Sequence, residues 1–541
     1  MNPNTQGSRT MALPSPLGGG GRQLPEAGVF GRILGSVIQG NALAAMLLLT
    51  AIVIGFLHGL MKVRYRSPLV TFAFDIPLTL SFAVTLLSIR RGRNIFPVHP
   101  ISSALKMLIG LCALYGILPF GLPLLVTLAA FRGWCFIPLI FLLGYHLTRS
   151  RQQLEVFIWL LMLLGLGTLL YGMRQTPEEV RRMMQEDAVL NNRFQNQFYA
   201  TKTGSQFRVF STFISSGAFG GAMAFCSLFA LGRLVSVSIG MLQRTILMAL
   251  FGGLVYGILL SGSRSSLMLL GIGLAVIMGF IRRVRLPVIV VLGVGTIVAL
   301  STIKLNENMI ARFRTLLDPA EFMGRIWIVI FPGWRELSEQ PWGWGLGRSG
   351  HGVPGSLLRF IGPVDWKPID GDLGKLMVDF GVLGIMMLSW LLYVSTREIF
   401  RIARDMGDRN ESRIVLPTAG WFLASVFTVS VGSPFLGIPT GALTWFFLGA
   451  SVRLHEFQFG GYGSGKRRLS LLEQRRAAAL GDVATEPAGN SPFRAEGTSA
   501  SERAQVPAPR FLYSVPRSPD GANPDELGAK RGNSKVRRLF D

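Results

Sequence analysis

Charge is scarce in this chain: only 16% of its 541 residues are Asp, Glu, Lys or Arg. A soluble globular domain carries about a quarter charged residues, so a water-exposed surface around the whole chain is excluded. Histidine and cysteine are scarcer still, at five and three residues. Cys112, Cys135 and Cys226 lie in or beside apolar runs with no metal-ligand spacing, and read as small core residues. No HExxH, CxxC, P-loop or Ser–His–Asp setting occurs, so neither metal nor nucleotide dependence has support, and no cofactor is expected. Gly345-Leu346-Gly347-Arg348-Ser349-Gly350 spells a dinucleotide fingerprint, but it follows a Trp-rich loop rather than a strand and no βαβ unit surrounds it. The amino terminus lacks the basic, apolar and small-residue order of a cleavable signal peptide.

What the chain has in abundance is apolar sequence. Half of it is hydrophobic and its mean hydropathy is +0.43. Continuous runs of about 18 residues or more recur, each long enough to cross about 30 Å of hydrocarbon as a helix. A β-barrel would instead show alternating segments of about 10 residues. The expected fold is therefore an all-α polytopic integral membrane protein. About twelve spans are expected, near 34–60, 67–89, 102–119, 131–148, 154–173, 209–231, 245–261, 265–281, 284–303, 373–396, 414–433 and 437–453. Segments 1–28 and 456–541 are rich in Gly, Ser and Pro and read as a disordered leader and a disordered basic tail, with the membrane domain over 29–455. The net charge of +24 resides mostly in loops and the tail, where it sets topology and meets anionic lipid; no nucleic acid is implied.

Placing both termini in the cytoplasm puts most basic clusters inside, among them Arg90, Arg91 and Arg93, then Arg149 with Arg151, then 397–413. The loop holding Lys62, Arg64 and Arg66 disagrees. Two outward segments are then long. The first, 174–208, opens with Thr176-Pro177-Glu178-Glu179, a capping box with proline at the first helical position, and an interfacial helix is expected to about 192. The second, 304–371, is a large loop between the ninth and tenth spans, rich in Arg, Trp, Gly and Pro.

Arg208, Arg264 and Arg325 all fall at outward ends of spans or in that loop, where basic residues are unexpected. They either pair with headgroups and carboxylates or hold an anionic ligand; a group of permanently charged, bidentate donors suits a pyrophosphate. Asp370 and Asp372 stand where the loop returns to the membrane. One carboxylate there suits a general base that orients a sugar hydroxyl, and the other a helix N-cap, for which Asp372 is better placed. His351, the single histidine of the large loop, and Trp344 are further acceptor-side candidates, unless they are only surface groups. A sugar cavity lined by Trp327, Trp334, Trp342 and Trp344 is expected. Glycines at 217, 221, 253, 257, 271 and 273 are expected to let helices approach closely.

Taken together, four stretches resemble the O-antigen ligase and O-antigen polymerase family of bacterial membrane glycosyltransferases. They are Arg208-Val209-Phe210-Ser211-Thr212-Phe213, Ser261-Gly262-Ser263-Arg264-Ser265-Ser266, Arg325-Ile326-Trp327 with the loop Pro341 to Gly347, and Asp370-Gly371-Asp372 followed by Asp379-Phe380-Gly381. The resemblance covers roughly 30–455. It implies glycan transfer from a polyprenyl diphosphate carrier to a sugar hydroxyl at the periplasmic face of the inner membrane, metal-independent and inverting. It also implies a diphosphate held by Arg208, Arg264 and Arg325, with Asp370 and Arg264 catalytic. The implied partners are the lipid-linked oligosaccharide, membrane lipid, a chain-length regulator and other polysaccharide assembly proteins. Ligases of the family carry His before Asn where this chain has Asp370-Gly371, which tilts the expectation toward a repeat-unit polymerase over a ligase to lipid A core. A lipid-linked glycan flippase and a non-catalytic assembly subunit are the readings from other classes.

Overall fold

The computed structural model describes residues 42–65, 69–89, 94–118, 120–186, 194–201, 204–235, 239–280, 319–353, 365–367, 369–406, 411–430 and 432–460. Apolar sequence becomes helix here because a backbone away from water must satisfy its own hydrogen bonds. In chain order the helices are α1 (Ala42–Arg64), α2 (Leu69–Phe72), α3 (Asp75–Ser88), α4 (Pro100–Ile117), α5 (Leu124–Phe131) and α6 (Ile137–Leu147). A π-helical turn, Arg132–Phe136, joins the last two. There follow α7 (Arg151–Arg174), α8 (Pro177–Glu186), α9 (Ser216–Leu234), α10 (Met241–Ser261), α11 (Arg264–Phe280), α12 (Pro319–Glu339), α13 (Asp372–Met406), α14 (Ser412–Thr428) and α15 (Thr440–Phe459).

Among the described residues seven helices are long and apolar enough to cross a membrane: α1, α4, α5 continued through α6, α7, α9, α10 and α13. Helices α3 and α11 are apolar but shorter. Every expected span overlaps a helix except 284–303, which lies outside the described residues, as do 1–41, 304–318 and 461–541. Some features differ from expectation. The span expected from 209 begins only at Ser216, because Ser215 caps it by accepting from the Ala218 N–H at 3.2 Å. The last helix runs on through Phe459, past the expected start of the tail. A short antiparallel hairpin, Phe198–Thr201 with Gly204–Phe207, stands in the first outward segment, where sequence gave no strand signal. The capping box behaves as expected: Thr176 Oγ1 accepts from the Glu179 N–H at 3.3 Å and opens α8.

Helix α9 is the axis of the bundle. Of its apolar window 83% is buried, against 39% for α7 and α10, so it packs on neighbours all round while the others keep a face outward. An aromatic stack fills the space beside it: Phe225 meets Trp421 edge-on at 5.1 Å, and Phe229 lies 4.5 Å from Phe447. Helices α6 and α15 cross in backbone contact, since a Cβ on Gly144 would run into Phe446 O and one on Gly449 into Phe141 O. Of the glycines expected to allow close approach, Gly257 and Gly273 do so, against Met223 and Leu228, whereas Gly271 faces open space.

Alternating helix direction gathers the described parts of the connections 62–75, 118–124, 174–216, 261–264, 340–372 and 428–440 at one end. The contacts agree: Leu60 N–H donates to Thr212 O at 3.0 Å, Asp372 N–H to Gly432 O at 2.9 Å, and Arg132 Nη1 to Gly352 O at 3.4 Å. The opposite end holds Arg151 bound to Glu155 at 2.6 Å, Arg233 on the Glu155 carbonyl at 3.1 Å, and Arg401 on Glu398 at 2.7 Å.

Candidate functional site

The first half of the candidate site is a knot of backbone around Arg208. After the hairpin the chain passes beside the end of α10: Arg208 N–H donates to Gln197 O at 2.9 Å and Val209 N–H to Leu260 O at 3.4 Å. Two glutamine side chains fix the next residues. Gln175 Oε1 accepts from the N–H groups of Phe210 and Ser211, at 3.2 and 3.0 Å, and buried Gln197 accepts from Ser216 N–H at 3.1 Å. Ser211, held at φ 53°, directs its hydroxyl onto Thr168 O. A β-carbon-bearing residue in the left-handed region is costly, and these bonds hold it there.

Arg208 meets the Ser-Gly-Ser-Arg tetrad at Gly262. That glycine ends α10 in the left-handed region (φ 57°), and a Cβ there would lie 3.6 Å from Arg208 Cγ. Ser263 then caps α11: its Oγ accepts from Ser266 Oγ at 2.8 Å and lies 3.4 Å from the Ser266 N–H. Arg264 is the first residue of α11 and is half-buried. Arg208 and the tetrad, far apart in sequence, are thus neighbours in space. Arg325 lies on α12, whose Gly333 packs against Gly374 and Met377 of α13; its side chain lies outside the described residues.

The second half is the return of the large loop into α13. Asp370 is exposed and Gly371 turns with φ 77°. Asp372 is buried and does not cap its own helix, contrary to expectation. It is already the first helical residue, and its Oδ2 accepts from Phe435 N–H at 3.1 Å, tying the start of α13 to the 432–436 turn. Its Oδ1 is buried with no hydrogen-bond partner among the described residues. One turn on, Lys375 Nζ donates to Ser433 Oγ at 3.0 Å.

Helix α13 is broken at Gly381 (φ 61°, ψ −143°). The groups freed by the break are met by the loop: Val382 N–H donates to Pro341 O at 2.9 Å and Trp344 N–H to Val378 O at 2.7 Å. The Tyr115 hydroxyl reaches Trp342 O at 2.6 Å and Phe380 O at 3.1 Å. Buried Asp379 clamps the same loop, accepting from Trp134 Nε1 and from Ser349 N–H, both at 2.8 Å. Irregular backbone inside a bundle is tolerated where protein groups satisfy it in this way.

His351 is part of the clamp and not an open loop residue. Its ring lies 4.9 Å from that of Trp134 and packs against Gly133 of the π turn. Burial, with the nearby charges of Lys375 and Arg132, pulls its pKa down to about 3, so the imidazole is neutral at neutral pH. Arg132 itself is ion-paired to Asp75. Trp344 is half-buried with Lys367 Nζ 4.9 Å above its ring, and Lys367 is held by Glu336 at 3.2 Å. Trp327, Trp334 and Trp342 are exposed.

Helix α1 joins the two halves. Thr212 Oγ1 donates to Phe56 O at 2.6 Å on one side of it, and a Cβ on Gly55 would touch Pro439 at 3.0 Å on the other. Asp75, Arg132, Gln175, Gln197 and Lys375 were missed from sequence, and Asp379 was named there only within the family-like stretch, with no role of its own. Arg132, Lys375 and Asp379 carried a usable signal, a charge at the edge of or inside an apolar run; the two glutamines carried none. Cys112, Cys135 and Cys226 are free and buried, as read from sequence. Among the described residues no group of three or more His, Cys, Asp or Glu is placed to hold a metal ion. No protein-family model matches the chain, and no curated protein matches it.

Proposed function

We propose that this chain is a membrane glycosyltransferase that polymerises lipid-linked polysaccharide repeat units. The observation that carries the reading is the packing of Arg208 onto Gly262, beside Arg264, at the end of the bundle where the large loop returns into α13. Two arginines set in a rigid, serine-capped turn suit a diphosphate, whose charge grows as it departs. In the proposed step an acceptor hydroxyl attacks the anomeric carbon of the donor. The bond from that carbon to the diphosphate oxygen breaks, the configuration inverts, and the hydroxyl proton passes to the exposed Asp370 carboxylate. Arg208, Arg264 and Arg325 hold the departing polyprenyl diphosphate. Buried Asp372 orders the acceptor side by fixing the 432–436 turn.

The twelve-span topology belongs to the same proposal. Arg149, Arg151, Arg233, Arg397, Arg401, Arg404 and Arg413 all belong to the end opposite the candidate site, which suits a cytoplasmic face there and supports a reading with the site outside. A ligase to lipid A core uses the same donor chemistry and differs in acceptor. One observation favours a reading of another class: broken helices such as α13 form substrate sites in transporters.

The test is extension of a defined polyprenyl-diphosphate oligosaccharide by purified protein, with no energy source supplied. Wild type is expected to lengthen the glycan, and Arg264→Ala to lose roughly 10²–10³-fold in rate, the usual cost of removing one preorganised charge-stabilising donor. Unchanged extension by a folded Arg264→Ala protein, or glycan translocation without extension by wild type, would remove the transferase reading.

A further inference from the structure

The end of the bundle away from the candidate site carries a cavity of its own, about 860 Å³ in volume. It lies between the ends of α3 and α6 and the last turns of α15. Its charged lining is Arg149 and Arg453, and among the described residues no carboxylate lines it. Asn94, Thr148 and His146 add polar atoms, and Val98 and Phe457 form an apolar rim. Both rim residues are exposed, Val98 at 70% and Phe457 at 49%, and Leu87 on the last turn of α3 is exposed at 87%.

Arg453 is ion-paired to Glu456 through one nitrogen only. Its guanidinium sits between two rings, 5.1 Å from the centre of Tyr145 and 4.3 Å from that of Phe457. Stacking of this kind holds the plane rigid and leaves the N–H edges outward. Its hydrogen bonds within the described residues all leave from Nη1, to Glu456 Oε2 at 3.2 Å and the Tyr145 hydroxyl at 3.4 Å. Glu456 is in turn engaged by the Tyr145 hydroxyl, so its charge is directed into that triad. Nε and Nη2 therefore remain for a ligand, in the fork geometry that matches phosphate oxygens.

We infer that this cavity binds a phosphate-bearing ligand: an anionic glycerophospholipid headgroup with its chains along Leu87, Val98 and Phe457, or the same glycerol phosphate free in solution. The size suits a headgroup rather than a bare ion, since small-molecule sites run from about 300 to 1,000 Å³. The exposed apolar rim suits a ligand that continues into hydrocarbon. This site is separate from the proposed transferase chemistry and stands or falls without it.

The test uses full-length protein purified in detergent, with native mass spectrometry at equal concentrations of phosphatidylglycerol and phosphatidylcholine. Thermal melts with glycerol 3-phosphate form a second arm. Wild type is expected to retain phosphatidylglycerol selectively, and Arg453→Gln to lose about fivefold of that preference, the usual effect of one basic residue at an anionic surface. Val98→Glu places a negative charge on the exposed rim without touching packed groups, and is expected to lower retention similarly, which guards against an Arg453→Gln protein that fails to fold. If glycerol 3-phosphate raises the melting temperature of wild type but not of these variants, and lipid is not selected, the site stands with a soluble ligand. Equal retention of the two lipids together with no effect of glycerol 3-phosphate, or indifference of both arms to the substitutions, overturns the proposal.

Discussion

Asp379 shows how one side chain at the heart of the site can be structural and decisive. Its two oxygens serve the Trp134 indole N–H and the Ser349 backbone N–H, and through them hold the large loop to the π turn. Asp379→Asn keeps the volume but offers only one accepting oxygen, leaving a buried donor unmet at a cost of about 1–3 kcal/mol. The melting temperature of detergent-solubilised protein is expected to fall for Asp379→Asn and to stay put for Asp365→Asn, whose carboxylate is largely exposed. His351 makes a pH prediction at the same scale. Its folded pKa of about 3 lies below the ordinary 6.5, so below 6.5 the unfolded chain binds a proton that the folded one refuses. Stability contributed by the neutral ring is complete above pH 6.5 and is lost progressively as pH falls toward 3. Melts of His351→Asn between those limits are expected to be flatter with pH than those of wild type; parallel curves would show the imidazole to be accessible to protons in the fold.

At the scale of elements, the break in α13 is the feature on which the loop depends. Gly381 combines positive φ with an extended ψ, a region essentially closed to other residues, and a Cβ there would run into Pro341 O. Gly381→Ala is expected to destabilise the protein by at least about 1–3 kcal/mol. Limited proteolysis is expected to cut within 341–353 before it cuts the helices. Cleavage at the wild-type rate and position would show that loop and helix break are independent. The sequence announced α13 as an apolar run and the loop as Trp- and Gly-rich, but not that each completes the hydrogen bonding of the other. Such pairing depends on backbone groups, which every residue carries alike. The same blindness applied to Gln175 and Gln197, whose amides are indistinguishable in sequence from any surface glutamine.

At the scale of the molecule, the alternation of helices gives a direct test of orientation. The three native cysteines are buried, so a single exposed cysteine can be read above them. Asp365→Cys at the loop end is expected to react with a membrane-impermeant maleimide in intact cells. On the proposed topology Asn94→Cys, at the rim of the opposite cavity, is expected to react only after the membrane is opened. Labelling in the reverse pattern would turn the protein over and put the arginine site in the cytoplasm.

By itself the sequence determined the helical class, the approximate position of the described apolar helices, and the identity of Arg208 and Arg264 as outliers. These are consequences of hydropathy and charge, which act locally and leave a linear trace. Tertiary structure alone decided that Arg208 lies on Gly262, that Asp372 is spent on the 432–436 turn while Asp370 stays open, and that His351 is neutral and packed. Those outcomes depend on which helix ends meet, and helix ends far apart in the chain are brought together by packing that no local pattern records.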